Sequence, residues 1–466
     1  MSNKISRRQF VQGATVLGIG VVLAACTPKA TPTPEAKPQT GAGAQTQPQA
    51  PTTAPAAAPA GQKVQLRHMI WDQVQQPAVA DQAKMFMERN PDIAIEIQVV
   101  PWSQYWDKLW TALAGGGAPD TFWLNMSNFA ALSYKGTLLN IQDYLDKDPN
   151  LQKEWDMNFD SLKAAYKFEG KAMSWPRDYD TIAIAVNLKL LEEAGLAFPD
   201  ETDSFKVWDW AMCRSYAEKL TKVEGGRTIQ FGLAATNTAQ EGWFNWVYSN
   251  GGSVLNADKT KCTLNEPPAI EALKDYIAYR RDGLSPGEEA IASQEVNDMF
   301  YTGRVAMSIV GDWNLKDFNE RITDFEYDLV PIPYAPTGKS MCMIHGLGDT
   351  IDKNTKNPDA AFKWVSFLGS KDGSTILGKT GTVIPSRRDT AELWFDPSFK
   401  PKHRRIYLEW TDKSVFWPNT AVPATSEWTK PINDELALAF EQGKDIQQAM
   451  DDAAKKVDEI LAGKGA

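Results

Sequence analysis

Between residues 63 and 125 the apolar positions follow two alternating periods. Val64 to Trp71 reads as a buried strand, and Ile93, Ile95, Ile97 and Val99 alternate with polar residues as a half-buried strand does. Between them, Pro77 to Arg89 places Val79, Ala83, Phe86 and Met87 on one helical face. A second helix carries Trp106, Leu109, Trp110 and Leu113 at i, i+3, i+4 and i+7 and closes on Gly115-Gly116-Gly117, and Phe122 to Leu124 supplies a third strand. Strands alternating with helices predict a parallel sheet covered by helices, with ligands at the carboxyl ends of the strands. Those ends carry Trp71-Asp72, Trp102 and Asn125.

A second α/β stretch opens at Thr181–Val186. Helices are predicted at 208–222, 241–249, 268–281 and 294–301, followed by a strand at 305–310. After Pro331-Ile332-Pro333 the pattern predicts a strand at 341–351 and a helix at 358–368. From His403 the chain reads as nearly all helical, ending in helices at 427–442 and 445–461.

The first 62 residues carry a different pattern. Arg7-Arg8 within Ser6-Arg7-Arg8-Gln9-Phe10 is a twin-arginine signature, and the apolar run that follows is too short to span a bilayer, so it reads as an export signal. Leu23-Ala24-Ala25-Cys26 resembles the bacterial lipobox, which makes Cys26 the expected acylated N-terminus of the mature chain. The next 36 residues hold eight prolines and no aromatic or branched aliphatic side chain. Such a segment buries too little apolar surface to offset its ordering entropy, and at about 3.1 Å per residue it reaches about 110 Å. The chain is therefore expected on the outer face of the cytoplasmic membrane, anchored and not spanning.

Composition narrows the function. The 466 residues leave room for two or three lobes at about 100–200 residues each. A net charge of −10 argues against a sequence-independent nucleic-acid binder. His68, His345 and His403 are scattered, so no metal site is expected, and no cofactor motif is present. Cys213, Cys262 and Cys342 allow at most one disulfide, and a hydrophobic role for all three is the expectation. Tryptophan, at 17 copies, is the outlier.

An ordered series of segments then carries a resemblance. It runs Phe86-Met87-Glu88-Arg89-Asn90-Pro91-Asp92-Ile93, Ala114-Gly115-Gly116-Gly117-Ala118-Pro119-Asp120, Gly136-Thr137-Leu138-Leu139, Trp175-Pro176 through Asn187-Leu188-Lys189, Phe300-Tyr301-Thr302-Gly303-Arg304, Gly311-Asp312-Trp313 and Gly381-Thr382-Val383-Ile384-Pro385. In this order the chain resembles the family 1 extracellular solute-binding proteins, the sugar-binding lipoproteins of ABC importers related to the maltose- and glycerol-phosphate-binding proteins. The resemblance implies a two-lobe periplasmic-binding-protein-like α/β fold, with lobe 1 at 63–178 plus 345–402 and lobe 2 at 179–344 plus 403–466. It implies hinge crossovers near 177–180, 343–346 and 402, a monomer, and a partnership with permease subunits and a cytoplasmic ATPase.

A pyranose has apolar C–H faces and a rim of hydroxyls, so it calls for flat aromatic surfaces beside Asp, Asn, Gln and Glu. Trp71, Asp72, Asn125, Ser127 and Asn128 stand at the first-lobe strand ends. By resemblance, Asp178 and Asp180 come from the hinge segment that reaches ligand hydroxyls; they alternate on an extended segment, so one is expected in the cleft, with Asp180 preferred, and Gly346, at a crossover, is a further expected ligand contact. The same resemblance makes Glu241, Trp243, Trp246, Trp313 and Trp428 members of the segments that place aromatic platforms. Asp72 competes as a turn cap, Trp71, Trp243 and Trp246 compete as core, and Trp106, Trp110 and Trp364 read as core. Leu124 and Ser127 replace an aromatic ring and a carboxylate of the maltodextrin binders, which points to a different sugar. Catalysis is not expected, although carboxylate pairs such as Asp178 and Asp180 keep a glycoside hydrolase as an alternative. Arg177, Arg387 and Arg388 keep a glycerol phosphodiester open, beside a polyamine or a metal chelate.

Overall fold

The computed structural model describes residues 63–199, 205–396, 399–418 and 426–463; Arg7, Arg8, Cys26 and the linker lie outside them. Strand β1 (Val64–Ile70) turns Leu66 and Ile70 to one face and Met69 to the other. Helix α1 (Gln76–Arg89) carries a proline in its first turn, where the missing N–H costs no helical bond, and buries Val79, Ala83 and Phe86. Strand β2 (Ile93–Val99) returns parallel to β1, with Val64 opposite Ile93 and Ile70 opposite Val99. Helix α2 (Trp102–Gly115) stops where Gly116 takes φ 73°, a left-handed conformation that a Cβ would penalise. Strand β3 (Thr121–Asn125) joins the other side of β1, again parallel. Helix α3 (Met126–Tyr134) starts on Asn125, whose side chain accepts the N–H of Asn128.

Strands β4 (Ser174–Asp180) and β5 (Ile182–Asn187) are separated by Thr181 alone, yet they join different sheets. The second half adds helix α4 (Trp210–Leu220), strands β6 (Lys222–Glu224) and β7 (Arg227–Ala234), and helices α5 (Phe244–Ser249) and α6 (Pro267–Arg281). Strands β8 (Val305–Gly311), β9 (Tyr327–Val330) and β10 (Cys342–Ile351) follow. Helix α7 (Pro358–Leu368), strands β11 (Ile384–Pro385) and β12 (Ser414–Phe416), and helices α8 (Lys430–Gln442) and α9 (Ile446–Leu461) complete it.

One sheet has the order β11-β4-β10-β3-β1-β2, with β12 beside the start of β10; the other has the order β9-β5-β8-β7-β6. Each sheet organises its own lobe. The first is covered on one face by Val79, Phe86 and Trp364 and on the other by Leu109, Phe129 and Leu132. The second lobe packs Ile184, Leu233 and Met307 of its sheet with Trp246 of α5, Ile277 of α6, Leu436 of α8 and Val457 of α9. Cys213, Cys262 and Cys342 are buried free thiols, and burial pushes Cys342 up to about 11.

The prediction of a single helix over 241–249 is corrected. Residues Ala239–Trp243 form a π turn in which Glu241 and Gly242 leave helical dihedrals, and α5 begins only at Phe244. The all-helical reading after His403 is corrected as well, because β12 pairs in parallel with Cys342–Ile344. A three-residue strand carries too few positions to reveal its period in the sequence.

Candidate functional site

The carboxyl ends of β1 and β3 open onto a cavity of about 690 Å³. Trp71 and Asp72 line it from β1, and Asn125 and Ser127 from the β3–α3 junction. Trp71 is half-buried and held edge-on by Trp102, Tyr105 and Trp123, with ring centroids 5.3, 4.9 and 5.2 Å away. Trp102 is 53% exposed on the same wall, a large apolar surface left to solvent. Asp72 accepts the N–H of Val74 at 2.8 Å and Nε2 of Gln75 at 2.9 Å, so it caps the turn into α1 while bordering the cavity.

Asp178 and Asp180 both line this cavity, which corrects the expectation that only one of them does. Asp178 is buried against the guanidinium of Arg177, which also lies over Trp123 at 4.2 Å from the ring centroid. Burial pushes Asp178 up to about 6, with Arg177 pulling the other way. Asp180 accepts Nε2 of Gln240 at 2.7 Å. Burial raises it well above the usual carboxylate range, and the charges of Asp312, Asp178 and Glu241 add to this. His345 reaches the wall from β10, its Nε2 3.2 Å from the Ser127 hydroxyl. Burial lowers His345 to about 4, so its ring is neutral at pH 7.

Two further cavities adjoin the first. One, of about 520 Å³, shares Ser127, Gln240 and Glu241 with it and adds Asn128, Trp417, Trp428 and Asn433. Trp417 and Trp428 stack with centroids 5.7 Å apart at 27°, so the largely buried Trp428 backs the more open Trp417. The other, of about 600 Å³, shares Trp313, Asn314 and Asp317 with the first and also contains Arg321. Glu241 borders all three. The turn that presents it depends on Gly242, where an added Cβ would stand 2.9 Å from the Tyr276 hydroxyl and 3.0 Å from the Thr236 carbonyl.

The structure thus brings Trp71, Asp72, Asn125, Ser127, Asn128, Asp178, Asp180, Glu241, Trp313 and Trp428 to one continuous hollow. Trp243 and Trp246 are corrected: both are 0% exposed. The non-helical turn at Glu241 and Gly242 swings α5 so that Trp246 packs on Tyr276 of α6, with its Nε1 donating to Asp275 at 3.1 Å. Gly346 is corrected too. It is buried inside β10, its carbonyl accepts the Tyr166 hydroxyl at 2.7 Å, and it lines none of the three cavities. Trp102, placed by the sequence at a strand end, borders the hollow, and so do Trp417, Gln240 and His345, which were not expected there as ligand contacts; Phe416-Trp417-Pro418 was the available signal, hidden by the helical reading of that region.

Of the arginines kept open for phosphate, Arg177 is paired with Asp178 beside the cavity, and the other two are spent elsewhere. Arg387 pairs with Asp389 at 2.7 Å and with Glu154, while Arg388 pairs with Asp160 at 2.8 Å and caps the Asn158 carbonyl. Among the described residues, neither the 690 Å³ nor the 520 Å³ cavity is lined by lysine or arginine.

Residues 72–375 match the model of the bacterial extracellular solute-binding proteins. The chain belongs to that family. A binding protein of Brucella abortus is 26% identical over 390 residues, spanning 83% of this chain and 90% of its own. The fold is shared with the ABC substrate-binding protein Lmo0181 of Listeria monocytogenes, solved with cycloalternan (TM-score 0.76, 23% identity, 86% of this chain and 99% of that one). It is shared also with a solute-binding protein of Thermotoga lettingae bound to α-D-tagatose (TM-score 0.72, 23% identity, 86% and 100%). The family and these neighbours are binding proteins and not enzymes.

Proposed function

We propose that the protein captures a mono- or oligosaccharide between its two lobes and hands it to an ABC importer. The observation that carries this reading is the pairing, in one hollow, of indole surfaces from both sheets' ends with amide, hydroxyl and carboxylate groups: Trp71, Trp102, Trp313 and Trp417 beside Asn125, Gln240 and Asp180. Indole faces match pyranose C–H faces, and side chains that donate or accept match the hydroxyl rim. Lobe 1 (63–178 plus 345–402) and lobe 2 (179–344 plus 403–466) pivot on the β4–Thr181–β5 and β10 crossings. A ligand that touches both stabilises the closed form by the contacts the open form lacks, and that difference is what a permease reads. Acylation of Cys26 after twin-arginine export anchors the monomer outside the cytoplasmic membrane, with residues 27–62 as a tether. A glycerol phosphodiester is disfavoured because, among the described residues, no lysine or arginine lines the 690 Å³ or the 520 Å³ cavity.

The test is a tryptophan-fluorescence and thermal-shift screen of the full chain against mono- and oligosaccharides, glycerol phosphates and polyamines. A saccharide response that Trp313→Ala and Asp180→Ala reduce by about tenfold or more supports the reading. A response to phosphate esters alone overturns it, and so does release of reducing ends from glycosides.

A further inference from the structure

The carboxylates that border the 690 Å³ cavity fall into two groups. Asp178 is neutralised by Arg177, Asp72 caps a turn, and Asp317 is held by Arg321 and the Tyr301 hydroxyl. Asp180 and Glu241 have no ion-pair partner among the described residues, and Asp312, which lines none of the three cavities, lies close to Asp180. Among the described residues, Asp180 accepts a neutral amide N–H, from Gln240 at 2.7 Å, and makes no ion pair. Glu241 makes no ion pair among the described residues, although it faces all three cavities. Asp312 is 0% exposed, and its burial is offset only by its own and the Thr181 backbone N–H groups and by Arg404. It stands between the end of β8 and Trp313, whose ring lines the hollow, and among neighbouring charges it acts on Asp180 most strongly. The cation that bears on Asp312, Arg404, turns its guanidinium to the carbonyls of Gly381 and Trp394 and over the Trp394 ring. The internal undescribed stretches 200–204, 397–398 and 419–425 contain no lysine or arginine to add.

A neutral sugar hydroxyl can hydrogen-bond to a carboxylate but does not offset the burial that holds Asp180 and Glu241 towards their protonated forms. An ammonium does both, and its hydrogen bonds to carboxylate are about twice as strong as neutral ones. The indoles of Trp71, Trp102 and Trp313 in the same cavity offer flat faces to a sugar ring and favourable π surfaces to a cation. We propose that the ligand is a saccharide bearing a free, protonated amine, bound with its ammonium against Asp180 and Glu241. This rests on the carbohydrate reading above and narrows it to amino sugars over their neutral and N-acylated counterparts.

The experiment is isothermal titration of the full chain with matched skeletons: glucosamine against glucose, galactosamine against galactose, mannosamine against mannose, and the β-1,4 glucosamine trimer against both its N-acetylated form and cellotriose. Spermidine is titrated in parallel. At least one amino member is expected to bind about tenfold or more tightly than its neutral and acylated twins, with the gap shrinking at about 0.5 M salt. Glu241→Gln and Asp180→Asn should close most of that gap, while the neutral twin's affinity changes less. The wild-type comparison stands without either variant, so a folding defect in one does not decide the outcome. Equal or tighter binding of the neutral or acylated twin overturns the amine assignment and leaves the carbohydrate reading intact. Binding of spermidine with no saccharide of either kind overturns both, as does the absence of any binding.

Discussion

At the scale of single residues, the indoles do two kinds of work that burial separates. Trp246 is fully enclosed, with Nε1 bound to Asp275, so Trp246→Ala should cost about 3–5 kcal/mol of stability. Chemical denaturation should show that loss, while the folded fraction keeps ligand affinity within a few-fold. Trp417→Ala should do the reverse, because this ring borders the hollow and rests on Trp428: affinity falls by about tenfold, and the unfolding midpoint moves little. If the two variants exchange these outcomes, the division of the aromatic residues between core and ligand is wrong. Asp349 shows what a buried charge does to pH dependence. Burial pushes it up to about 7, its Oδ1 lacks a hydrogen-bond partner, and His68, lowered to about 3, lies 3.9 Å away and is neutral. A carboxyl raised in the folded state holds a proton there that the unfolded chain has released, so its contribution to stability is present below about pH 4 and is lost as pH rises towards 7. Asp349→Asn should therefore gain on the wild type as pH rises from 4 to 8, by about 3 °C or more in Tm, measured as the difference between their thermal unfolding curves.

At the scale of elements, the turn before α5 decides which side chains the second lobe presents. Gly242 lies so close to Tyr276 and Thr236 that any Cβ pushes the turn away from α6. Gly242→Ala should cost about 1–3 kcal/mol by overpacking and should weaken ligand binding, because Glu241 is carried by the same turn. A variant that matches the wild type in both denaturant midpoint and affinity would show that the turn is not a positioning device. The same turn explains why the helical reading of 241–249 failed at the site. Trp243 and Trp246 sit at a spacing that suits a helix face, and a sequence period does not show that the helix starts three residues late and faces inward. By contrast, β1, α1, β2, α2 and β3 were legible, because each repeats its period over enough residues and ends on a local signal such as the left-handed Gly116.

At the scale of the whole molecule, two sheets meet where Thr181 alone separates β4 from β5. A ligand held by both lobes adds its binding free energy to folding, about 2.7 kcal/mol at a ligand concentration of 100 Kd. A saccharide that binds should therefore raise Tm with concentration, and small-angle scattering should report a smaller radius of gyration in its presence. A raised Tm without compaction would mean that one lobe holds the ligand alone.

What the sequence by itself determined was local. Periodicity set most strands and helices, composition set apart the first 62 residues, and residue type nominated Trp71, Asp72, Asn125 and Ser127, because strand ends follow directly from the strand pattern. Only the tertiary structure decided which tryptophans are core and which are walls, that β12 brings Trp417 beside Trp428, and that Asp180 and Glu241 lie together with no ion-pair partner among the described residues. Those outcomes depend on contacts between residues tens to hundreds of positions apart. Burial and charge compensation are properties of a neighbourhood in space, and a linear pattern records only neighbours along the chain.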